Sequence, residues 1–187
     1  MTMAKHILAS QSPRRKQLLE WAEVDFEIRV QPTDETFPAD ISPEEAAVHV
    51  ARVKAKAIDA EPGRIIIAAD TMVVLKGEII NKPADREDAI HMLKKLSGQH
   101  HQVVTGVVLR RGEEEIAFAD VTDVLFHSLT DEQIAFYVDK YQPYDKAGAY
   151  AIQEWIGVVG IKSVKGDFYN VMGLPVSRVV QALQKME

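Results

Sequence analysis

A chain of 187 residues, 47% hydrophobic and 27% charged, has the makeup of one ordinary globular domain, with one or two lobes, and folding at that length buries roughly 70% of the unfolded surface. The formal net charge of -6 argues against broad, sequence-independent binding to nucleic acid, which phosphate neutralisation drives, so any phosphate is handled locally. The lack of cysteine excludes a disulfide framework and a thiolate zinc site and suits a reducing cytoplasm. The apolar run near the N-terminus is too short for a signal peptide, and no segment has the apolar length of a membrane span.

In chain order, Lys5 to Ala9 reads as a short buried strand. Ser12 and Pro13 then supply an N-cap and a first-turn proline for a helix with Leu18, Leu19 and Ala22 on its inner face. A strand and a polar, proline-bearing loop follow in "FEIRVQPTDETFPADI". The series Ser42-Pro43-Glu44-Glu45 is a capping box that opens a helix to about Ala60, ended by Pro62-Gly63. "RIIIAADTMVVL" is a β-rich run, turned at Lys76-Gly77 into "EIIN" as a hairpin. Asp85 caps a helix that runs to about Leu96 and stops before Gly98. Two long strands, "HQVVTGVVLRR" and "EIAFADVTDVLFHSL", meet at a turn on Gly112. Thr130 to Gln133 is a second capping box, opening a helix to about Lys140. The tail reads as a loop, a strand "WIGVVGIKSV", a turn at Lys165-Gly166-Asp167, a strand "FYNV", and a helix after Pro175. Helices alternating with strands and hairpins predict an α/β chain around a mixed sheet, with no internal repeat.

Three places carry chemistry. Arg14 and Arg15 sit in the first turn of a helix, where the dipole and free N–H groups favour an anion, so arginines there are misplaced unless a phosphate meets them or solvent surrounds them. In the helix from Ser42, helical spacing puts Ala46, Ala47, Val50, Ala51, Val53, Ala57 and Ile58 on one face and Glu45, His49, Arg52, Lys56 and Asp59 on the other. Lys54 falls in the middle of the apolar face, where it must snorkel, pair with an acid or reach a ligand. Asp70 closes "IIIAAD", a position for a catalytic group or metal ligand at the carboxyl end of a strand, or for a turn aspartate. Thr71 and Lys82 flank it along the hairpin. Glu35, in "TDETFP", is a second carboxylate able to share Mg²⁺ or Mn²⁺ with Asp70. His100, His101 and the other histidines lack the spacing of a zinc protease and read as structural. No phosphate-binding P-loop, dinucleotide-binding glycine fingerprint or nucleophile elbow is present.

The ordered motifs "LASQSPRRKQLL", "ARVKAKA", "AADTMV", "NKP", "MLKKLSGQHHQVVTGV", "DKAGAYAIQ" and "GDFYNVMGLP" run over nearly the whole chain. In them the sequence resembles the Maf family of nucleoside triphosphate pyrophosphatases. The resemblance implies a single domain over residues 1–187: a two-lobed α/β fold with an elongated mixed sheet, flanking helices and a central cleft, similar to inosine triphosphate pyrophosphatases. It implies metal-dependent hydrolysis between the α and β phosphates, with Asp70 as proton acceptor and with Glu35 and Asp70 as the metal carboxylates. Substrate contacts fall on Ser10, Ser12, Arg14, Arg15, Lys54, Thr71, Lys82 and Gln153. Arg14, Thr71 and Gln153 match the branch acting on dTTP and UTP, and an amide at Gln153 offers a pyrimidine both a donor and an acceptor. The chain departs from relatives at Gly106, where alanine is common, and at Glu154-Trp155-Ile156, where smaller residues are common. The expectation is therefore a cytoplasmic homodimer that hydrolyses dTTP and UTP, or modified pyrimidine nucleotides, with Mg²⁺ or Mn²⁺, and has neither a nucleic-acid nor a membrane partner. The rivals are a nucleotide-sensing regulator of cell division or shape that works without turnover, and a nucleotidyltransferase, whose glycine-rich opening is missing.

Overall fold

The computed structural model describes residues 5–187; the first four residues of the N-terminal run weighed as a leader lie outside the described residues. The chain forms two compact units. One comprises the chain through Thr71 with Thr105–Asp120 and Gly173–Glu187, the other Met72–Val104 with Val121–Met172.

In the first unit, strand β1 (His6–Leu8) is buried throughout and pairs in parallel with β2 (Phe26–Ile28) and with the start of β3 (Ile65–Leu75), in the registers His6↔Phe26 and His6↔Ile65. Helix α1 (Pro13–Trp21) begins as its cap signal predicts: the Ser12 hydroxyl accepts from the Arg15 N–H at 3.4 Å and Pro13 opens the first turn. Leu18 and Leu19 are buried, each worth roughly 1.5–3 kcal/mol, and Arg15 is buried beside them. Helix α2 (Pro43–Lys56) starts at a complete capping box, with Ser42 N–H donating to Glu45 at 2.8 Å and Glu45 N–H to Ser42 at 3.2 Å. Its inner face is built of small residues, Ala46, Ala47, Ala51 and Ala55 around Val50. Small side chains let the helix backbone come close to strand β5 (His100–Arg111). At Gly106 of that strand a Cβ would lie 2.2 Å from the Ala47 carbonyl carbon, so this close approach requires the glycine. The helix ends at Lys56, not near Ala60. Past that point Ile58 turns into the core with Ile7, Ala51, Ala55, Ile66 and Val108, and the Asp59 carbonyl accepts from Arg29 at 2.7 Å.

In the second unit, β3 turns at Lys76-Gly77, both with left-handed backbone (φ 51° and 82°), into β4 (Glu78–Ile80), paired antiparallel as Val73↔Ile80. Helix α3 (Arg86–Leu96) is capped by Asp85, and α4 (Asp131–Tyr141) by the Thr130–Gln133 box. Strand β6 (Glu114–Phe126) follows β5, and β7 (Ile161–Lys165) lies antiparallel to β6. The expected strand "WIGVVGIKSV" is strand only in its second half; its first half is helix α5 (Trp155–Gly160). The expected strand "FYNV" is instead helix α6 (Phe168–Met172). There the Asp167 carboxylate accepts from the N–H groups of Tyr169 (2.8 Å) and Asn170 (3.3 Å). The wholly buried Asn170 amide donates to the Val103 carbonyl and the Thr122 hydroxyl, both at 3.1 Å. Capping and a buried amide outweigh the β propensity of Phe, Tyr and Val. Helix α7 (Val176–Met186) returns to the first unit, with Val179, Ala182, Leu183 and Met186 buried. The described strands form one mixed sheet in the order β2-β1-β3-β5-β6-β7, with β4 against β3. Among the described residues no helix is long and apolar enough to cross a membrane.

Candidate active site

Adjacent residues of β3 serve different partners, as the alternation of a strand requires. Asp70 meets α2, while Thr71 meets α1. Asp70 does not end its strand: β3 runs on to Leu75, and what ends is the parallel pairing with β1, at Leu8↔Ile67. Asp70 therefore lies three residues past that last paired position, held in regular backbone.

Lys54 reaches Asp70 from the inner face of α2. Its ammonium stands 3.0 Å from Asp70 Oδ1 and 3.2 Å from Glu35 Oε1. The side chains of Lys54 and Asp70 are 18% and 17% exposed, that of Glu35 54%, so a largely desolvated ion pair is joined by a carboxylate from a surface loop. Of the three fates open to an inward lysine, this one pairs with acids. Glu35 and Asp70 thus converge on a single positive charge, and their hard oxygens suit Mg²⁺ or Mn²⁺, for which water and phosphate oxygens complete the shell. Among the described residues no group of three or more histidines and acids is placed to hold a metal ion.

Arg15 faces inward from the first turn of α1. Its Nε–H donates to the Gly173 carbonyl (2.7 Å), Nη1 to the Ser10 hydroxyl (3.2 Å) and Nη2 to the Thr71 hydroxyl (3.0 Å). All three acceptors are neutral. Arg15 is 9% exposed, and among the described residues no carboxylate forms an ion pair with it. Burial pushes its guanidinium below the ordinary arginine value, and the nearby Asp70 charge pulls it back up. A buried cation that neutral groups position but do not neutralise is an anion site in waiting. Ser12 N–H donates to Ser10 Oγ at 3.2 Å, which ties the cap of α1 to the same cluster, and Arg14 is half-buried beside it.

Ser10, Ser12, Arg14, Arg15, Glu35, Lys54, Asp70 and Thr71 all belong to the first unit, where the contacts just given form two groups, Ser10–Ser12–Arg15–Thr71 and Glu35–Lys54–Asp70, adjacent through Asp70 and Thr71 in β3. Lys82 and Gln153 belong to the second, each exposed: Lys82 just after β4, Gln153 on the turn that leads into α5. Trp155, which follows that turn, packs edge-on to Phe136 of α4 with ring centroids 4.8 Å apart. The sequence reading missed Thr105, whose buried hydroxyl lies 2.9 Å from that of Thr71, and the Gly173 carbonyl, which receives Arg15 and also Thr71 at 3.3 Å. "TGV" and "GLP" were visible as motifs, but a wholly buried threonine and a backbone carbonyl carry no local sign of their role.

The family model described as Maf-like protein matches residues 5–186 of this chain. A relative from Cytophaga hutchinsonii, named dTTP/UTP pyrophosphatase, is 49% identical over 181 residues, covering 96% of this chain and 83% of that protein. A second, from Bacteroides thetaiotaomicron and with the same name, is 49% identical over 183 residues, covering 96% and 95%. Among solved structures, the Staphylococcus aureus Ham1 protein aligns with a TM-score of 0.50 and 18% identity over 96% of this chain and 97% of its own, a likeness of fold.

Proposed function

The chain belongs to the Maf family, and from that premise we propose that it hydrolyses nucleoside triphosphates, dTTP and UTP first among them, between the α and β phosphates to give a monophosphate and pyrophosphate. The observation that carries this reading is the presence in one unit of a buried Arg15, hydrogen-bonded to neutral acceptors and ion-paired to no carboxylate among the described residues, together with the Glu35–Lys54–Asp70 cluster. The names of the relatives support the choice of substrate.

In this mechanism Arg15 takes phosphate oxygens through the N–H groups that its neutral partners leave over, and the first turn of α1 adds its dipole and Ser12 its hydroxyl. Arg14 contributes a second guanidinium. Asp70 orients the attacking water and accepts its proton, with Lys54 at 3.0 Å holding the carboxylate in place. Lys54 and Lys82 offset charge that develops on the transferring and leaving phosphates, where electrostatic positioning supplies most of the acceleration. Asp70 and Glu35 are the residues that would hold a divalent cation, which when bound supplies further neutralisation of phosphate oxygens. Gln153 meets the pyrimidine edge with its amide. On the same reading the protein is a homodimer and its cellular substrates include modified pyrimidine nucleotides.

The test is product analysis by ³¹P NMR with Mg²⁺ or Mn²⁺ and dTTP, UTP, CTP, GTP and 7-methyl-GTP. Pyrophosphate with dTMP or UMP is expected, and label from solvent water should enter the monophosphate. Nucleoside diphosphate with phosphate would overturn the mechanism, and binding without turnover across the panel would favour the sensor.

A further inference from the structure

The turn bearing Gln153 is clamped at both ends by one hydroxyl. Tyr137, on α4, is wholly buried, and its Oη accepts from the Ala151 N–H at 3.1 Å while donating to Glu154 Oε2 at 3.0 Å. These two residues bracket Ile152 and Gln153. The Glu154 N–H closes the turn on the Ala151 carbonyl at 3.1 Å, and Lys146 holds the other Glu154 oxygen at 3.5 Å. The turn runs directly into α5, whose first turn folds back so closely that a Cβ at Gly157 would lie 1.7 Å from the Ile152 carbonyl oxygen. Ala151 and Ile152 are 5% exposed each, and only Gln153 is turned out to solvent.

We propose that Tyr137 is a positioning residue for base selection, holding the 151–154 turn so that the Gln153 amide meets a uracil- or thymine-type edge in one place. This rests on the reading of Gln153 given above. The physical need is specific. An amide carries a donor and an acceptor side by side, so it can satisfy a uracil-type edge or, rotated, a cytosine-type edge. A glutamine on a loose turn would serve both, and discrimination requires its backbone to be fixed. The Tyr137 hydroxyl, with one hydrogen bond donated and one accepted across the turn, provides that fixing without touching the base.

The experiment measures kcat and KM for dTTP and CTP in the full-length protein, with dissociation constants for their non-hydrolysable α,β-methylene analogues. The variants are Tyr137→Phe, Glu154→Gln, Glu154→Ala and Gln153→Ala. Tyr137→Phe removes both hydrogen bonds to the turn and should raise KM for dTTP about fivefold, the scale of one hydrogen bond lost between a misplaced Gln153 amide and the base, with kcat nearly unchanged and the dTTP-over-CTP preference narrowed by a similar factor. Glu154→Gln keeps an oxygen for Tyr137 and should retain the preference, while Glu154→Ala should lose it. If Tyr137→Phe fails to fold, the two Glu154 variants carry the test. A lower melting temperature with KM and preference intact in Tyr137→Phe or Glu154→Ala overturns the inference. Gln153→Ala separates the two levels: a preference that survives it defeats the base-reading role of Gln153 and the inference with it. A preference that collapses in Gln153→Ala but survives Tyr137→Phe and Glu154→Ala defeats the inference alone.

Discussion

Lowering the pH from 7 to 5 is predicted to cost this protein about 2 kcal/mol of stability through one side chain, His101. Its ring is 2% exposed, lies 5.4 Å from that of Phe126, and hydrogen-bonds the Tyr150 hydroxyl at 2.5 Å through Nε2. Its Nδ1 is buried with no hydrogen-bond partner among the described residues. Imidazolium needs two acceptors, and this pocket supplies at most the one tyrosine oxygen. Burial first, and then the neighbouring His100 charge, lower the His101 pKa from its ordinary 6.5 to about 4. In the window between those values the unfolded chain binds the proton and the folded one does not, so stability falls as pH falls. Integrating the two titrations between pH 7 and pH 5 gives about 2 kcal/mol, or roughly 4–8 °C in melting temperature for a chain of this size. His6, also lowered, by burial and by Lys5, acts with the same sign. The carboxylates held low by their partners, Glu61 at about 2 among them, lose their contribution only below the ordinary carboxylate range, so the window from 7 to 5 isolates the histidines. Urea unfolding at pH 7 and 5, with an NMR titration of the His101 ring nitrogens, makes the test. A ring that titrates near 6.5, or an unfolding free energy that does not change across the window, would refute the reasoning.

Asp70→Asn should keep the fold and the affinity for the methylene analogue of dTTP but lose ~10² to 10⁴ in turnover, the scale of a general base; wild-type turnover would remove Asp70 from that role. Lys54→Met fits an apolar helix face, so circular dichroism should be unchanged while turnover falls. A sharp drop in melting temperature with kinetics intact would make the lysine structural. Arg15→Lys cannot span Gly173, Ser10 and Thr71 at once, so nucleotide binding, measured by titration with the methylene analogue of dTTP, should weaken by about tenfold or more. Gly106→Ala, with its Cβ 2.2 Å from the α2 backbone, should cost roughly 1–3 kcal/mol in thermal unfolding. Because α2 carries Lys54, the same change should lower turnover at temperatures where the variant is folded.

Most of the helices were legible because their signals are local. A serine or threonine cap with its partner three residues on, a proline in the first turn, and a Lys-Gly pair that accepts left-handed backbone each act within one turn of chain, whatever packs against them later. Lys54 was legible for a related reason: a charge in the middle of an apolar helical face contradicts its surroundings, and the contradiction is visible before the partner is known. The runs "WIGVVG" and "FYNV" read as strands in the sequence and fold as helices, because β-branched and aromatic residues prefer strand only where a sheet surface awaits them. Here Gly157 must slip under the Ile152 carbonyl of the turn just before its helix, and Asn170 must bury its amide on Val103 and Thr122, residues distant in the chain.

Local signals in the chain were enough for the capped helices, the hairpin at Lys76-Gly77, the family resemblance, and the residue types able to handle a triphosphate. Which way those residues face came from long-range packing. It turned Arg15 inward onto Gly173, Ser10 and Thr71, made Lys54 the common partner of Glu35 and Asp70, and set Gln153 on a turn held by Tyr137. The physical reason is desolvation. Whether a guanidinium, an ammonium or a phenol is a surface group or a committed one depends on the solvent it has lost, and that is settled by neighbours distant in the chain.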